Sequence, residues 1–508
     1  MSRSENPNEP SPGAIPDAPA LTSNAAPSTG TLPRILGPFD AVAVVVGSII
    51  GSGIFLKASV IAEQLGSFGP IILVWIVVGL VTLCGSLALA ELAAMLPQAG
   101  GPYVYLREAY GRLPAFLWGW TEFWIIRTGS LGALACATVI YGNRLLEALE
   151  ANGTLTGFLA DQVPLGHWGQ GVASIGLVIA VTTVNVVGTR WAANVQNVTT
   201  VVKVLFLVFL IVGPFWLGKF DTQNLTPFWP SDTSVTFWRA MGVAMIAVLW
   251  PYDGWINIGP VAEEIRDPQR NVPFALTVGM IIVVVIYVLA NTSYHLVLSM
   301  SEVQASVAVA SDVAGRMLGS AGAWVASLGV MVSTLGALNS NLLAGPRIYF
   351  AMARDNLFPA SIRKIHPRFQ TPANAVTAQM VWSVVLLIAA YLYTNPAAIA
   401  GQAPRLSTPG DAFDALTDFV IFGGSIFYAM AVGAVFVLRW KRPELARPYR
   451  TWGYPVTPAL YLLAFAAALV SMLIDKWQQT ATGLTIIFAG VVFFYIWSRK
   501  ERSSAAKS

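Results

Sequence analysis

Twelve apolar runs, each long enough to cross a bilayer, fix what this chain can fold into. Runs of 17 or more residues recur at about 39–65, 70–96, 113–141, 171–189, 197–217, 238–262, 274–298, 322–353, 374–394, 412–438, 455–474 and 479–498. A hydrocarbon core about 30 Å thick takes about 20 helical residues, so each run reads as one transmembrane helix. In lipid every backbone N–H and C=O needs an internal partner, which a helix supplies within itself. The composition agrees: of 508 residues, 55% are hydrophobic and only 11% charged, against about 25% charged in soluble domains. The expected fold is an all-α polytopic membrane protein with twelve transmembrane helices.

The formal charge of +4 does not point to nucleic acid, because the basic residues are spread between the spans instead of gathered on one domain. They report topology. With the N-terminus in the cytoplasm, the inward segments hold Arg107, Arg112, Arg266, Arg270, Arg368 and the basic cluster at 439–450, while outward loops hold scattered cations such as Lys219, Arg316 and Lys476. The positive-inside rule therefore places both termini in the cytoplasm of a cell whose inner, or plasma, membrane carries the protein. Residues 1–33, rich in Pro, Ser, Asn and Ala, read as a disordered cytoplasmic tail. The remainder divides into a ten-helix core at 34–438, two additional helices at 439–498 and a cytoplasmic tail at 499–508.

Cys84 and Cys136 both fall inside spans, and His167, His295 and His366 lie far apart, so neither a disulfide framework nor a metal site is indicated. No cofactor is expected either. The chain carries no HExxH zinc motif and no paired aspartates within a GxGD motif, which argues against an intramembrane protease.

Two spans are interrupted. GSIIGSGIF at 47–55 crowds glycine and serine into the first, and LWPYDGWIN at 249–257 puts Pro251, Asp253 and Gly254 into the sixth. Proline removes a backbone donor and clashes one turn back, and Asp and Gly continue a helix poorly. Breaks in spans one and six fall at corresponding positions of two sets of five, the pattern of a five-plus-five inverted repeat with spans eleven and twelve appended. Small residues also mark ordinary close helix packing, and for the first motif alone packing and a substrate site weigh evenly. The matching break in span six tips the balance.

The chemistry of the breaks is complementary. Where span one restarts after Gly51, Ser52 and Gly53, free N–H groups and the positive dipole end suit a carboxylate. Where the first half of span six stops near Leu249, Trp250 and Pro251, unpaired carbonyls suit an ammonium group. A zwitterionic α-amino acid satisfies both, and Trp250 at the lip of the break is placed to cover it. Lys203 in span five has two readings: a lysine snorkelling to the interface about two turns away, or an intramembrane amine holding span one by hydrogen bonds. Glu122 and Arg127 in span three are expected to face the bundle interior in a supporting role and to pair with other helices. Glu91, Asp414 and Asp418, near helix ends, read as structural or interfacial. Glu263 and Glu264 follow span six in a charged loop, where pairing with basic residues would hold an inward gate closed.

The motifs GSIIGSGIF at 47–55, ELAAMLPQAGGPYVYLREAYG at 91–111, WTEFWIIRTGS at 120–130, YDGWIN at 252–257 and EEIRDPQRNVP at 263–273 together resemble the L-type amino acid transporters of the amino acid–polyamine–organocation superfamily. The resemblance implies the fold of the bacterial leucine transporter and sodium-independent amino acid exchange or facilitated movement by alternating access. It implies that Ile49, Ser52 and Gly53 receive the substrate carboxylate and that Trp250, Pro251 and Asp253 receive its amine. It also implies that Trp250 is the aromatic gate and that Lys203 stands where sodium-coupled relatives hold a sodium ion. Pro251, Asp253 and Ile256 depart from many animal members, and the loop between spans three and four lacks the cysteine that joins those members to a heavy subunit, so no such disulfide-linked partner is expected. The expected function is a transporter of neutral L-amino acids within the lipid bilayer, not an enzyme. Carriers of cationic amino acids or polyamines, a proton-coupled symporter and a transporter-like nutrient receptor are the alternatives.

Overall fold

The computed structural model describes residues 34–505 apart from 35, 99, 152, 154–164, 188, 232, 363, 365, 367, 370 and 395–409. The tail expected at 1–33 lies outside the described residues, as do 506–508. Among the described residues every regular element is a helix, and the one extended feature is a parallel bridge between Leu36 and Ile265.

Among the described residues eleven helices are long and apolar enough to cross a membrane, and a bent pair, Pro38–Ile49 with Gly53–Leu65, taken as one span makes twelve. Spans two to six are Phe68–Met95, Arg112–Ala151, His167–Val187, Thr189–Trp216 and Val235–Glu264. Spans seven to twelve are Pro268–Val297, Ser320–Arg354, Ala373–Tyr393, Asp411–Lys441, Val456–Asp475 and Trp477–Ala505. With twelve crossings, the start of the helix Pro38–Ile49 and the end of the helix Trp477–Ala505 fall on one face, here called the terminal face; the opposite is the far face.

Five crossings per set mean that the second set starts from the far face and runs inverted. The correspondence extends beyond the breaks. Between the second and third helix of the first set lies the short helix Pro102–Tyr110, and at the same place in the second set lies Val309–Leu318, preceded by Met300–Ala305. Such short elements were not anticipated, because they fall below the length of an apolar span. Gly101 and Pro102 start the first of them, and Ser299 with Glu302 caps Met300–Ala305 in a reciprocal box.

Burial orders the bundle. The most apolar stretch of span three is 94% buried, while those of spans eleven and twelve are 28% and 22% buried. Span three is therefore the central post and the last two helices are peripheral. A helix surrounded by protein carries no lipid-facing stripe, so span three can hold Glu122, Arg127 and Thr128 at bilayer depth where a lipid-facing helix could not.

Candidate functional site

The two breaks meet face to face. Span one stops at Ile49, Ile50 turns extended with ψ of 99°, and the second half sets off from Ser52 at 42° to the first. The first N–H groups to turn back to a carbonyl are those of Phe55 and Leu56, onto Ser52 O at 3.2 and 3.1 Å, so no backbone carbonyl is bonded to the N–H groups of Ser52, Gly53 and Ile54. Span six runs one residue beyond Pro251, then breaks as Asp253 adopts ψ of 155° and Gly254 takes φ of +112°. Its ladder closes early, with Asp253 N–H on Trp250 O at 3.0 Å.

Two glycines permit the contact. A Cβ on Gly53 would stand 2.6 Å from Pro251 Cα, and one on Gly254 would stand 2.5 Å from Ser48 O. Gly254 also needs the left-handed region that glycine alone enters without strain. Across the junction Trp250 Nε1 donates to Ser52 Oγ at 3.2 Å.

Side chains from other helices hold the exposed backbone. Lys203, fully buried, donates to Gly47 O at 2.8 Å and Ile50 O at 2.9 Å, two carbonyls that the break in span one leaves open. Its amine is turned inward onto span one. The Tyr287 hydroxyl of span seven lies 3.1 Å from Ile49 O and 2.9 Å from Pro251 O, tying both breaks to one residue. Tyr428 of span ten donates to Asp253 Oδ1 at 2.9 Å.

Span three contributes a buried ion pair. Arg127 Nε donates to Glu122 Oε2 at 2.6 Å, and its other nitrogens reach Asn341 Oδ1 of span eight at 3.0 Å and Asn257 Oδ1 of span six. Arg127 thus reaches spans six and eight as expected, but it also pairs with Glu122 of its own span, which corrects the expectation that the two charges would pair with other helices instead of with each other. The turn Glu122–Ile126 is π-helical, with Arg127 N–H on Glu122 O, and that wider turn brings residues five apart onto one face.

Of the residues singled out in the sequence, Ile49, Ser52, Gly53, Trp250 and Asp253 line one cavity together with Arg127, Asn257, Asn341 and Tyr428. Pro251 does not line it: its ring packs under Gly53 and its carbonyl faces Tyr287. Lys203 stands behind span one instead of in the cavity. Tyr287, Tyr428 and Asn341 went unnoticed because one polar group in an apolar run gives no hint of which helix it will face. Among the described residues no group of three or more His, Cys, Asp or Glu side chains gathers to hold a metal ion.

Polar contacts lie on both sides of the cavity. Towards the far face, Lys57 pairs with Asp414 and donates to Thr417 Oγ1 at 2.9 Å, and the Phe413 ring stands edge-on to Trp250 at 6.1 Å. Lys57 was missed by the sequence reading, although a lysine just past the break in span one is a signal that could have found it. Towards the terminal face, Leu36 N–H bonds Glu264 O at 3.0 Å, Arg347 of span eight pairs with Glu264 at 2.9 Å, and Arg107 pairs with Asp355 at 2.9 Å.

Comparison with known proteins matches this chain to a family model described as "Amino acid permease" over residues 36–497. The serine/threonine exchanger SteT of Bacillus subtilis is 31% identical over 93% of this chain and 98% of its own length. The human large neutral amino acids transporter small subunit 2 is 30% identical over 94% of this chain and 85% of its own. The human b(0,+)-type amino acid transporter 1 is 28% identical over 92% and 89%.

Proposed function

The chain belongs to the amino acid permease family, a family of membrane transporters, and from that premise we propose that it moves neutral L-amino acids across the membrane by alternating access, without sodium. The observation that carries this reading is the meeting of the two breaks, with the N–H groups of Ser52 and Gly53 in span one and the Asp253 carboxylate of span six on the wall of one cavity. The substrate carboxylate takes the N–H groups of Ser52 and Gly53 beside Ile49, at the positive end of the half-helix. The ammonium group takes the end of span six at Trp250 and Asp253, with Pro251 shaping the break and passing its own carbonyl to Tyr287. The side chain lies toward Asn341 and Tyr428.

Trp250 covers the bound substrate from outside. Its indole is held by Ser52 and abuts Phe413, so release toward the far face requires the Lys57–Asp414 pair to part. Opening toward the terminal face requires Glu264 and Arg347 to separate. Spans one, two, six and seven rock against the rest, and the two ion pairs alternate as closures. Lys203 supplies a buried amine bonded to Gly47 O and Ile50 O at the broken end of span one, the place the family resemblance assigns to a sodium ion in sodium-coupled relatives. No chemical step is involved.

The positive-inside distribution supports a cytoplasmic terminal face and an inner, or plasma, membrane location. Spans one to ten form the transport core and spans eleven and twelve are appended, in keeping with their shallow burial. The relatives named for serine/threonine and for large neutral amino acids support neutral side chains, and the absence of a cysteine between spans three and four supports a carrier acting without a disulfide-linked heavy subunit.

Asp253 on the cavity wall favours a second reading, transport of cationic amino acids or polyamines. Competition decides between them. Uptake of labelled leucine or serine into proteoliposomes, inhibited by alanine and not by putrescine, is the expected result; inhibition by arginine and putrescine without inhibition by alanine would establish the second reading. Saturable binding without flux would mark a receptor.

A further inference from the structure

The two appended spans take no part in the paired breaks, yet the turn that joins them brings charge to the far face. Span eleven ends at Asp475, span twelve starts at Trp477, and Lys476 alone connects them. The turn is tied down on itself, with Thr480 N–H on Lys476 O at 3.0 Å and Thr480 Oγ1 donating to Met472 O at 3.1 Å. Just beyond it, Tyr393 at the end of span nine donates to Gln478 Oε1 at 2.6 Å. Lys476 therefore stands on a short, anchored connection.

Its neighbours decide where its charge goes. Asp475 accepts from Ser471 Oγ at 3.0 Å and pairs with Arg239 near the start of span six, so the adjacent carboxylate is already matched. The Lys476 ammonium reaches span ten instead, 2.8 Å from Asp418 Oδ2. Asp414 lies four residues earlier on the same helix, and residues so spaced share one face with Cβ atoms about 5–6 Å apart. Burial alone would make the Lys476 ammonium easier to deprotonate, but the carboxylates of Asp418 and then Asp414 raise its pKa above the ordinary lysine value. The Asp414 side chain keeps 36% of its surface exposed, which leaves room for a second cation.

Asp414 is also the residue that closes the far face. Lys57 of span one pairs with it, donates to Thr417 Oγ1 at 2.9 Å and stands 5.1 Å over the Phe413 ring. When span one rocks away from span ten, Lys57 withdraws from a partly buried carboxylate, and a buried charge stripped of its partner is costly. Two cations thus flank one face of span ten, Lys57 on a moving span and Lys476 on the fixed side.

We propose that Lys476 takes over Asp414 when Lys57 leaves, which makes the turn between the appended spans a counter-latch that favours the far-open state. The proposal rests on the alternating-access reading. It needs only a shift of the lysine along one helical turn, from Asp418 to a place between the two carboxylates. Asp414 then keeps a cation in both states, and two arrangements close in energy are what a carrier needs to populate both.

The test reads far-face opening directly, with the full chain reconstituted in vesicles and no substrate present. In a cysteine-free background, spin labels at Glu63→Cys on the second half of span one and Ala389→Cys on span nine report their separation by double electron–electron resonance. Lys57→Gln releases the closed latch and should add a population at longer distance. Adding Lys476→Gln should cut the ratio of long to short distances by about two- to fivefold, the scale of a partly exposed ion pair. Lys476→Arg in the same background keeps the charge and should leave the ratio unchanged. Asp414→Asn also releases the latch but removes the acceptor, so adding Lys476→Gln there should change nothing. An undiminished long-distance population in the Lys57→Gln, Lys476→Gln protein would overturn the proposal. So would an equal decrease in the Asp414→Asn background, which would make Lys476 a structural tie to Asp418 alone, or a Lys57→Gln protein that stays closed. No flux enters this readout, so a lack of amino acid uptake would count against the transport reading separately.

Discussion

At the residue scale, a few side chains stand in for missing backbone partners, and the proposed transport rests on them. Lys203 bonds two carbonyls released by the break in span one, and hydrogen bonds to a charged group contribute about 1.5–3 kcal/mol. Lys203→Ala should therefore lower initial exchange rates by about tenfold or more while the protein still inserts and purifies as one species. Normal exchange would leave the lysine without a role in holding span one. Trp250→Ala removes the indole that bonds Ser52 and meets Phe413. It should raise the substrate concentration for half-maximal uptake by about tenfold, equivalent to about 1.4 kcal/mol; an unchanged value and rate would remove its gating role. The sequence exposed these two residues because a tryptophan beside a proline break and a lysine inside a span are chemically conspicuous. Tyr287 was hidden, since a tyrosine in an apolar run also serves ordinary packing, and only the fold brings its hydroxyl to Ile49 and Pro251.

At the scale of the element, the breaks are built from glycine contacts as much as from missing hydrogen bonds. Gly254→Ala would press a methyl group onto Ser48 O and strain a positive φ. Overpacking of this kind costs about 1–3 kcal/mol, so the variant should lose thermal stability in detergent and nearly all transport; unaltered stability and transport would show that the breaks do not touch. The Lys57–Asp414 pair belongs to the same scale, because it joins the second half of span one to span ten. Asp414→Asn should shift the carrier toward an open far face. In a cysteine-free background, a cysteine at Ser52 should then react faster with a membrane-impermeant thiol reagent added from outside. Equal reactivity would mean that the pair does not close the route. The breaks were legible because glycine, serine and proline interrupt apolar runs visibly. The π-turn at Glu122–Ile126 was not, since EFWII carries no residue that forbids an α-helix, and the wider turn is set by tertiary contacts.

At the scale of the whole molecule, span number and the pairing of the two breaks followed from hydropathy and helix chemistry, because bilayer thickness and backbone hydrogen bonding leave few alternatives. What hydropathy could not supply was lateral arrangement. Nothing in the apolar runs ranks span three, whose most apolar stretch is 94% buried, above span twelve, at 22%, since lipid and protein interior favour the same side chains. Sodium independence and exchange are properties of the assembled cycle. They are read together in purified proteoliposomes loaded with an unlabelled neutral amino acid and supplied outside with labelled serine, alanine, leucine, arginine or putrescine, with sodium and with choline. Transport through the paired breaks predicts saturable uptake of neutral L-amino acids that internal substrate accelerates and sodium leaves unchanged. Uptake that requires a sodium gradient, or putrescine uptake in the absence of any neutral amino acid uptake, would contradict it.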